Sequence, residues 1–298
     1  MAFDQTRPRV SLKSVLYLTD FSEPSEAALP FAFSIARKHG AHLYALHVLL
    51  PCIAASMTPE LTAMAVAAAE ESAQAEVERL DSQLAGVPHD TVIERAIDVW
   101  DAVERAIKEF RIELIVLGTH GRTGAEKLLL DSVAEQIFRR SAVPVLTIGP
   151  NVHHGAHSAA EFHRVMFATD FTPASLAAAP YAVSFVEEDD ARLILLHVMK
   201  TPQQDKSGTR TELSVAEAIH KLYEVLPEHN GSPCSPVVVV EFGDPGERIL
   251  EIARLRHADL VVLGGRASAH PEAVTHLGRA TAHNVVAHAP CPVMTVCG

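Results

Sequence analysis

No run of apolar residues in this sequence approaches the roughly 20 consecutive positions that a membrane-spanning helix requires. The longest alanine-rich stretch, Leu61 to Ala69, is too short, so a membrane-embedded class is set aside. Basic residues are also scarce: 25 Lys and Arg against 37 Asp and Glu leave a formal net charge of −12. Phosphate backbones are held chiefly by clustered Lys and Arg, so this balance argues against a nucleic-acid partner and favours solubility. Cysteine is sparse. Cys52, Cys234, Cys291 and Cys297 show no CxxC spacing and no even framework within a short chain, which reads as reduced thiols. The segment Met1 to Ser14 carries charges but no apolar core ahead of a small-residue cleavage site, so no secretion signal is expected and the cytoplasm is the expected compartment. What remains is ordinary for a soluble globular protein: 298 residues, 48% apolar and 21% charged, with room for two domains that each bury a core.

Sliding the chain on itself exposes a duplication. Val15-Leu-Tyr-Leu-Thr-Asp-Phe-Ser22 matches Val165-Met-Phe-Ala-Thr-Asp-Phe-Thr172 at an offset of 150, which also carries Pro30 onto Pro180 and Leu46-His47-Val48 onto Leu196-His197-Val198. Further on, Ile115-Val-Leu-Gly118 meets Val261-Val-Leu-Gly264 at an offset of 146, and Asp98 falls on Asp244. The end of each copy, Val143-Pro-Val-Leu-Thr147 and Cys291-Pro-Val-Met-Thr295, aligns at 148. A stretch of small polar residues and histidines around Pro150 to Phe162 breaks the hydrophobic pattern, which places the domains at 1–156 and 157–298.

Each copy alternates short apolar strands with helices. Strands are expected at 15–19, 42–48, 91–96, 114–118 and 144–148, and again at 165–169, 192–198, 236–241, 260–264 and 292–296. Helices are expected from near Pro24 and Pro173, over 59–84 with a shorter counterpart at 211–226, and over 99–110 and 246–257. Strands that are apolar throughout are buried on both faces, so each copy reads as a doubly wound α/β domain with a parallel five-stranded sheet. Ligands of such sheets bind beyond the carboxyl ends of the strands, where the winding reverses. The loops after the first and fourth strands are therefore the places to search.

After the fourth strand stands Gly118-Thr-His-Gly121-Arg122-Thr-Gly124, followed by Asp131-Ser132-Val133 at the head of a helix. With Thr-Asp-Phe-Ser at 19–22, Leu-His-Val at 46–48 and Val-Pro-Val-Leu at 143–146, this resembles the universal stress proteins, whose nucleotide signature is G-x2-G-x9-G-[ST], over nearly the whole chain. The resemblance implies a Rossmann-like sheet of the adenine nucleotide alpha hydrolase type with strand order 3-2-1-4-5, and an adenine nucleotide, ATP or AMP, in the first domain. Asp20 and Val48 would then sit against ribose and adenine, next to Leu18 and Thr19. Gly118, Gly121, Arg122, Ser132 and Val133 would line the phosphates, and Leu117 would pack nearby. The physics agrees, since glycine-rich backbone and a helix start both suit phosphate. His120 is placed either to touch phosphate or to be solvated. The resemblance also implies an internal pseudo-dimer formed by the terminal strands, Val143 to Ile148 with Cys291 to Val296, and leaves pairing of two chains open.

One position departs from the signature: Asp131 stands where the last glycine belongs, and a carboxylate beside polyphosphate costs Coulomb energy unless a cation intervenes. Asp131 reads as a helix N-cap, as a ligand of hydrated Mg²⁺ bridging to phosphate, or as the mark of a site that has lost its nucleotide. Asp20 has its own structural reading, as the cap of the helix starting near Pro24. His47 and His197 lie on buried strands and are expected to satisfy core hydrogen bonds, and His153, His154, His157 and His163 to belong to a solvated linker.

The second copy keeps Thr169-Asp170-Phe171 but reads Gly264-Gly-Arg-Ala267-Ser-Ala-His-Pro271 after its fourth strand, so at most one nucleotide site is expected per chain. No strong catalytic group is visible, and Asp20 with Asp131 is a weak pair for phosphoryl transfer. A scaffold without nucleotide, docking partner proteins, is the competing function. A phosphoacceptor receiver would need an acidic pair after the first strand, where Asp20 stands alone.

Overall fold

The structure, a computed structural model, describes residues 10–51, 58–119, 133–152, 162–189, 191–200, 213–225, 236–265 and 276–297. Two compact units emerge, one of Leu12–Ile148 and one built on 162–297.

In the first unit the strands are β1 (Ser14–Thr19), β2 (His42–Leu49), β3 (His89–Arg95), β4 (Leu114–Gly118) and β5 (Val145–Ile148). All neighbours run parallel in the order β3-β2-β1-β4-β5, with Leu18 in register with both Leu46 and Leu117. Burial explains the order: Val15, Leu16, Tyr17 and Leu18 on the central strand are all enclosed, as the apolar runs demand. Consecutive strands one, two and three step one way and the chain then returns to the other side of β1, which creates the switch point beside β1 and β4.

The expected first helix is two: α1 (Glu23–Glu26) and α2 (Leu29–His39). Pro30 sits in the first turn of α2, where its missing N–H is harmless, and α2 ends on Gly40 in the left-handed region at φ +63°. The 26-residue α3 (Pro59–Leu84) opens on Thr58, whose hydroxyl accepts from Leu61 N, and seats its C-terminal half through Ala73, Val77, Leu80 and Leu84. Helix α4 (Val99–Phe110) is capped by Asp98, which accepts from Trp100 N at 3.1 Å. Helix α5 (Val133–Arg140) completes the unit.

The second unit repeats the plan with β6 (Arg164–Ala168), α6 (Pro173–Leu176), α7 (Ala179–Asp189), β7 (Arg192–Met199), α8 (Val215–Glu224), β8 (Val237–Phe242), α9 (Pro245–Leu255), β9 (Leu260–Gly265), α10 (His276–His288) and β10 (Val293–Cys297). Its parallel order β8-β7-β6-β9-β10 is the same 3-2-1-4-5 winding. Asp244 caps α9 through Glu247 N at 3.0 Å, as its counterpart Asp98 caps α4.

No helix among the described residues is long and apolar enough to cross a membrane. Cys291 lies buried outside any disulfide, and burial pushes its thiol up to about 12. The thiolate is the nucleophile, so about one part in ten thousand is reactive at pH 8. Iodoacetamide at that pH is expected to leave Cys291 unmodified in the native protein and to label it after denaturation, as read by peptide mass spectrometry.

Candidate functional site

The carboxyl ends of β1 and β4 are built around an unusual turn. Phe21 adopts φ +58°, a left-handed conformation that costs a bulky side chain about 1 kcal/mol or more. Three interactions hold it there. Thr19 Oγ1, on a buried side chain, accepts from Phe21 N at 3.0 Å; Asp20 Oδ1 accepts from Ser22 N at 3.1 Å and from Ser22 Oγ at 2.5 Å; and the Phe21 ring lies 4.5 Å from that of His47. The Asp20 carboxylate thus closes an Asx turn one step ahead of α1 instead of capping that helix, whose N-cap is Ser22. His47 Nδ1 is 2.9 Å from Thr19 O and therefore donates to it, so this histidine does serve a structural hydrogen bond.

Behind the turn, Tyr17 donates to Ser25 O at 2.9 Å, and burial pushes its hydroxyl up to about 12. Helix α1 leans directly on β4 at Gly118: a Cβ there would stand 1.8 Å from Pro24 O and 3.0 Å from Ser25 Cα. One face of Gly118 is therefore filled by backbone. The glycine is needed for helix–strand packing, a role that the sequence pattern alone does not distinguish from phosphate binding.

The second unit reproduces the turn and the helix–strand contact, with Phe167 in place of Tyr17 and therefore without the hydroxyl bond. Phe171 has φ +61°, Thr169 Oγ1 accepts from Phe171 N at 3.0 Å, His197 Nδ1 lies 2.8 Å from Thr169 O, and the Phe171 and His197 rings are 4.4 Å apart. A Cβ on Gly264 would come within 2.3 Å of Ser175 Cα. Burial alone would raise the Asp170 carboxyl, yet hydrogen bonds from the Thr172 hydroxyl and amide outweigh it and hold the group below its ordinary range. The turn is kept even in the copy whose glycine signature has decayed, so its geometry belongs first to the fold.

Of the residues singled out in the sequence, Leu18, Thr19, Leu117 and Gly118 gather at the carboxyl ends of β1 and β4, and Asp20 follows immediately on the exposed rim. Leu18 and Leu117 are 8% and 3% exposed, so they form the floor and present little surface to a ligand. Val48 is half-buried on β2, one residue beyond the Thr19–His47 register pair, and Val133 opens α5 at 41% exposure. His120, Gly121, Arg122, Asp131 and Ser132 lie outside the described residues, as do His153, His154 and His157. Among the described residues no group of three metal-ligating side chains comes together. A pocket of about 470 Å³ lined by Glu251, Arg254, Leu255 and His257 belongs to the C-terminal end of α9 and not to this crevice. Sequence reasoning missed Ser25 and Tyr17 as parts of the turn; the repeated Thr-Asp-Phe followed by Ser25 and Ser175 was the available signal.

Known proteins share this fold. A universal stress protein of Methanocaldococcus jannaschii is 31% identical over 140 residues, 46% of this chain and 81% of that protein, and a second one from the same organism is 25% identical, covering 47% and 96%. The crystal structure of a universal stress protein from Archaeoglobus fulgidus superposes with a TM-score of 0.69 at 21% identity, covering 95% of this chain and 98% of the other, which speaks for the fold. The profile of the universal stress protein family matches residues 11–149 and again 161–296. Matched once by each half and carrying the same turn in both, the chain belongs to the universal stress protein family as a tandem of two such domains.

Proposed function

We propose that this protein is a stress-response factor whose first domain binds an adenine nucleotide, ATP or AMP, in the crevice beyond β1 and β4. The observation that carries the reading is the exposed Asp20 carboxylate at the carboxyl end of β1 beside half-buried Val48, where a doubly wound sheet receives its ligands. A carboxylate suits ribose hydroxyls and an aliphatic side chain suits the face of a base. The 118–124 glycines, with Ser132 and Val133 at the start of α5, would supply phosphate contacts through main-chain N–H groups. Asp131 would serve as an oxygen ligand of Mg²⁺, whose charge would offset the repulsion between carboxylate and phosphate.

A second reading, a nucleotide-free scaffold acting through protein contacts, is favoured by two observations. Asp131 replaces the signature glycine, and Gly118 is required by α1 packing whether or not phosphate ever binds.

Thermal-shift titration separates the two. A ligand of the native state raises the melting temperature by mass action, by about 2.7 kcal/mol of stability at a hundredfold excess over Kd. ATP with Mg²⁺ is expected to raise it in the wild type. Asp131→Gly is expected to tighten ATP binding in the absence of Mg²⁺ by about fivefold, since one carboxylate at close range to polyphosphate costs on the order of 1 kcal/mol in a solvated crevice. AMP, with fewer charges, should gain less. No stabilisation by either nucleotide, together with no nucleotide co-purifying by mass spectrometry, selects the scaffold.

A further inference from the structure

The two domains treat their outermost third strand differently. β3 carries His89, Asp90, Glu94 and Arg95, and its side chains are engaged: Glu94 with Arg105 at 2.5 Å, Arg95 with Glu70 of α3, Asp90 with His42 at 2.8 Å. Such charges guard an exposed sheet edge against pairing with another chain. β8 has no such guard. It reads Val237-Val-Val-Val240 before its first charge at Glu241, pairs with β7 on one side, and meets no other described strand on the other.

Beside this edge the crossover helix α8 leaves a second apolar feature. Val215, Ile219 and Tyr223, spaced by four residues, are 42%, 37% and 52% exposed, while Ala218 and Leu222 of the same helix are buried. Residues at that spacing form one stripe about 12 Å long. Phe242, at the end of β8, is 39% exposed. Two features of different kinds, an unguarded strand edge and an apolar helix stripe, thus occur on one flank of the second domain.

We propose that this flank is the interface between two copies of the chain, with β8 pairing antiparallel to β8 of a second copy about a two-fold axis normal to the sheet. Such an axis keeps both α8 helices on the same face of the extended sheet, so the two stripes can meet. The sequence is self-complementary in charge. Antiparallel pairing centred on Val239 sets Val238 against Val240 and Glu241 against Val237, so no like charges oppose one another. On α8, Glu217 and Lys221 lie two residues either side of Ile219 and hence on the far face of the helix, where Lys221 stands 5.6 Å from the Phe171 ring. The rim of the stripe holds Ala216 and His220, the latter 3.1 Å from the Glu224 carboxylate. In a chain of net charge −12, a flank whose acids are Glu224, ion-paired with His220, and Glu241, set against Val237, suits self-association. A strand edge alone falls short of the roughly 800 Å² per partner that specific interfaces bury. The helix stripe and Phe242 are what enlarge the contact.

Sedimentation velocity of the full-length protein is expected to show a species of twice the 32.2 kDa chain mass at micromolar concentration. The double variant Ile219→Lys, Tyr223→Lys should raise the dimer dissociation constant at least tenfold, and Val238→Lys should do the same. Val92→Lys on the guarded β3 edge should leave it unchanged. Both α8 positions are exposed, so that variant keeps its fold, as far-UV circular dichroism and the melting temperature would verify, and it decides the question even where Val238→Lys unfolds. A wild type that stays monomeric across the concentration range, or a dimer indifferent to the α8 variant, overturns the proposal. Dissociation by the α8 variant but not by a folded Val238→Lys overturns the strand pairing.

Discussion

Gly118→Ala is expected to lower the melting temperature of the ligand-free first domain by about 10 °C, an effect of roughly 3 kcal/mol for a unit of this size. The methyl group would arrive 1.8 Å from the Pro24 carbonyl oxygen, 2.5 Å from its carbon and 3.0 Å from Ser25 Cα, all backbone atoms of α1. Flexible side chains can step aside from such a clash; a helix anchored by the Tyr17 hydroxyl and by the Thr19–Ser25 bond cannot do so without breaking them. Gly264→Ala should destabilise the second domain similarly, since its Cβ would stand 2.3 Å from Ser175 Cα and 2.5 Å from the Ala174 oxygen. Gly265→Ala is the control, with nothing within 4 Å of the added carbon. Calorimetry without nucleotide reads all three. An unchanged melt for Gly118→Ala would return this glycine to a purely ligand-binding role, while a collapse in both domains would show that its retention says little about phosphate.

That experiment also marks where sequence reading stops. Periodicity and the internal offset were enough for the ten strands and the doubly wound class, because apolar runs of four to eight residues between helix signals have few other uses, whereas the strand order came from the family resemblance. The 59–84 and 99–110 helices emerged with the expected limits, whereas the second copy of the long helix is confined to Val215–Glu224 among the described residues. The split between α1 and α2 was written in Pro30 but only becomes a break once the Ala27–Ala28 turn is seen. What stayed hidden were contacts between elements far apart in the chain. Gly118 fits a phosphate signature and a packing constraint equally well until α1 is placed against β4. Asp20 looked like a cap for α1, but the left-handed Phe21 diverts its carboxylate to Ser22, and nothing in the residue types announces a phenylalanine at positive φ. His47 was legible because a histidine on a buried strand must find a partner, and Thr19 O is that partner.

The same turn yields the second large effect. Ser25 Oγ donates its only proton to Ser22 O at 2.9 Å, so the 3.1 Å contact with Thr19 Oγ1 must be a bond that Thr19 donates, while Thr19 Oγ1 itself accepts from Phe21 N at 3.0 Å. The hydroxyls thus form a directed chain from the Phe21 amide through Thr19 and Ser25 to the Ser22 carbonyl. Thr19→Val preserves shape at a residue that is 4% exposed but removes the link that serves the strained amide. Leaving that N–H without its acceptor costs about 2 kcal/mol, in a backbone whose left-handed conformation depends on the bond for compensation. Thr19→Ser should recover most of the loss, because the hydroxyl and not the methyl carries the effect. Thr169→Val should cost the second domain a comparable amount through the matching chain of Phe171 N, Thr169 Oγ1, Ser175 Oγ and Thr172 O. Hydrogen exchange at the Phe21 amide gives a local readout: it should quicken in Thr19→Val and stay slow in Thr19→Ser. Equal losses in the two variants would point to packing, and an unchanged melt with unchanged exchange would show that the positive φ of Phe21 is sustained without the threonine, by the Asp20–Ser22 bonds and the His47 ring alone.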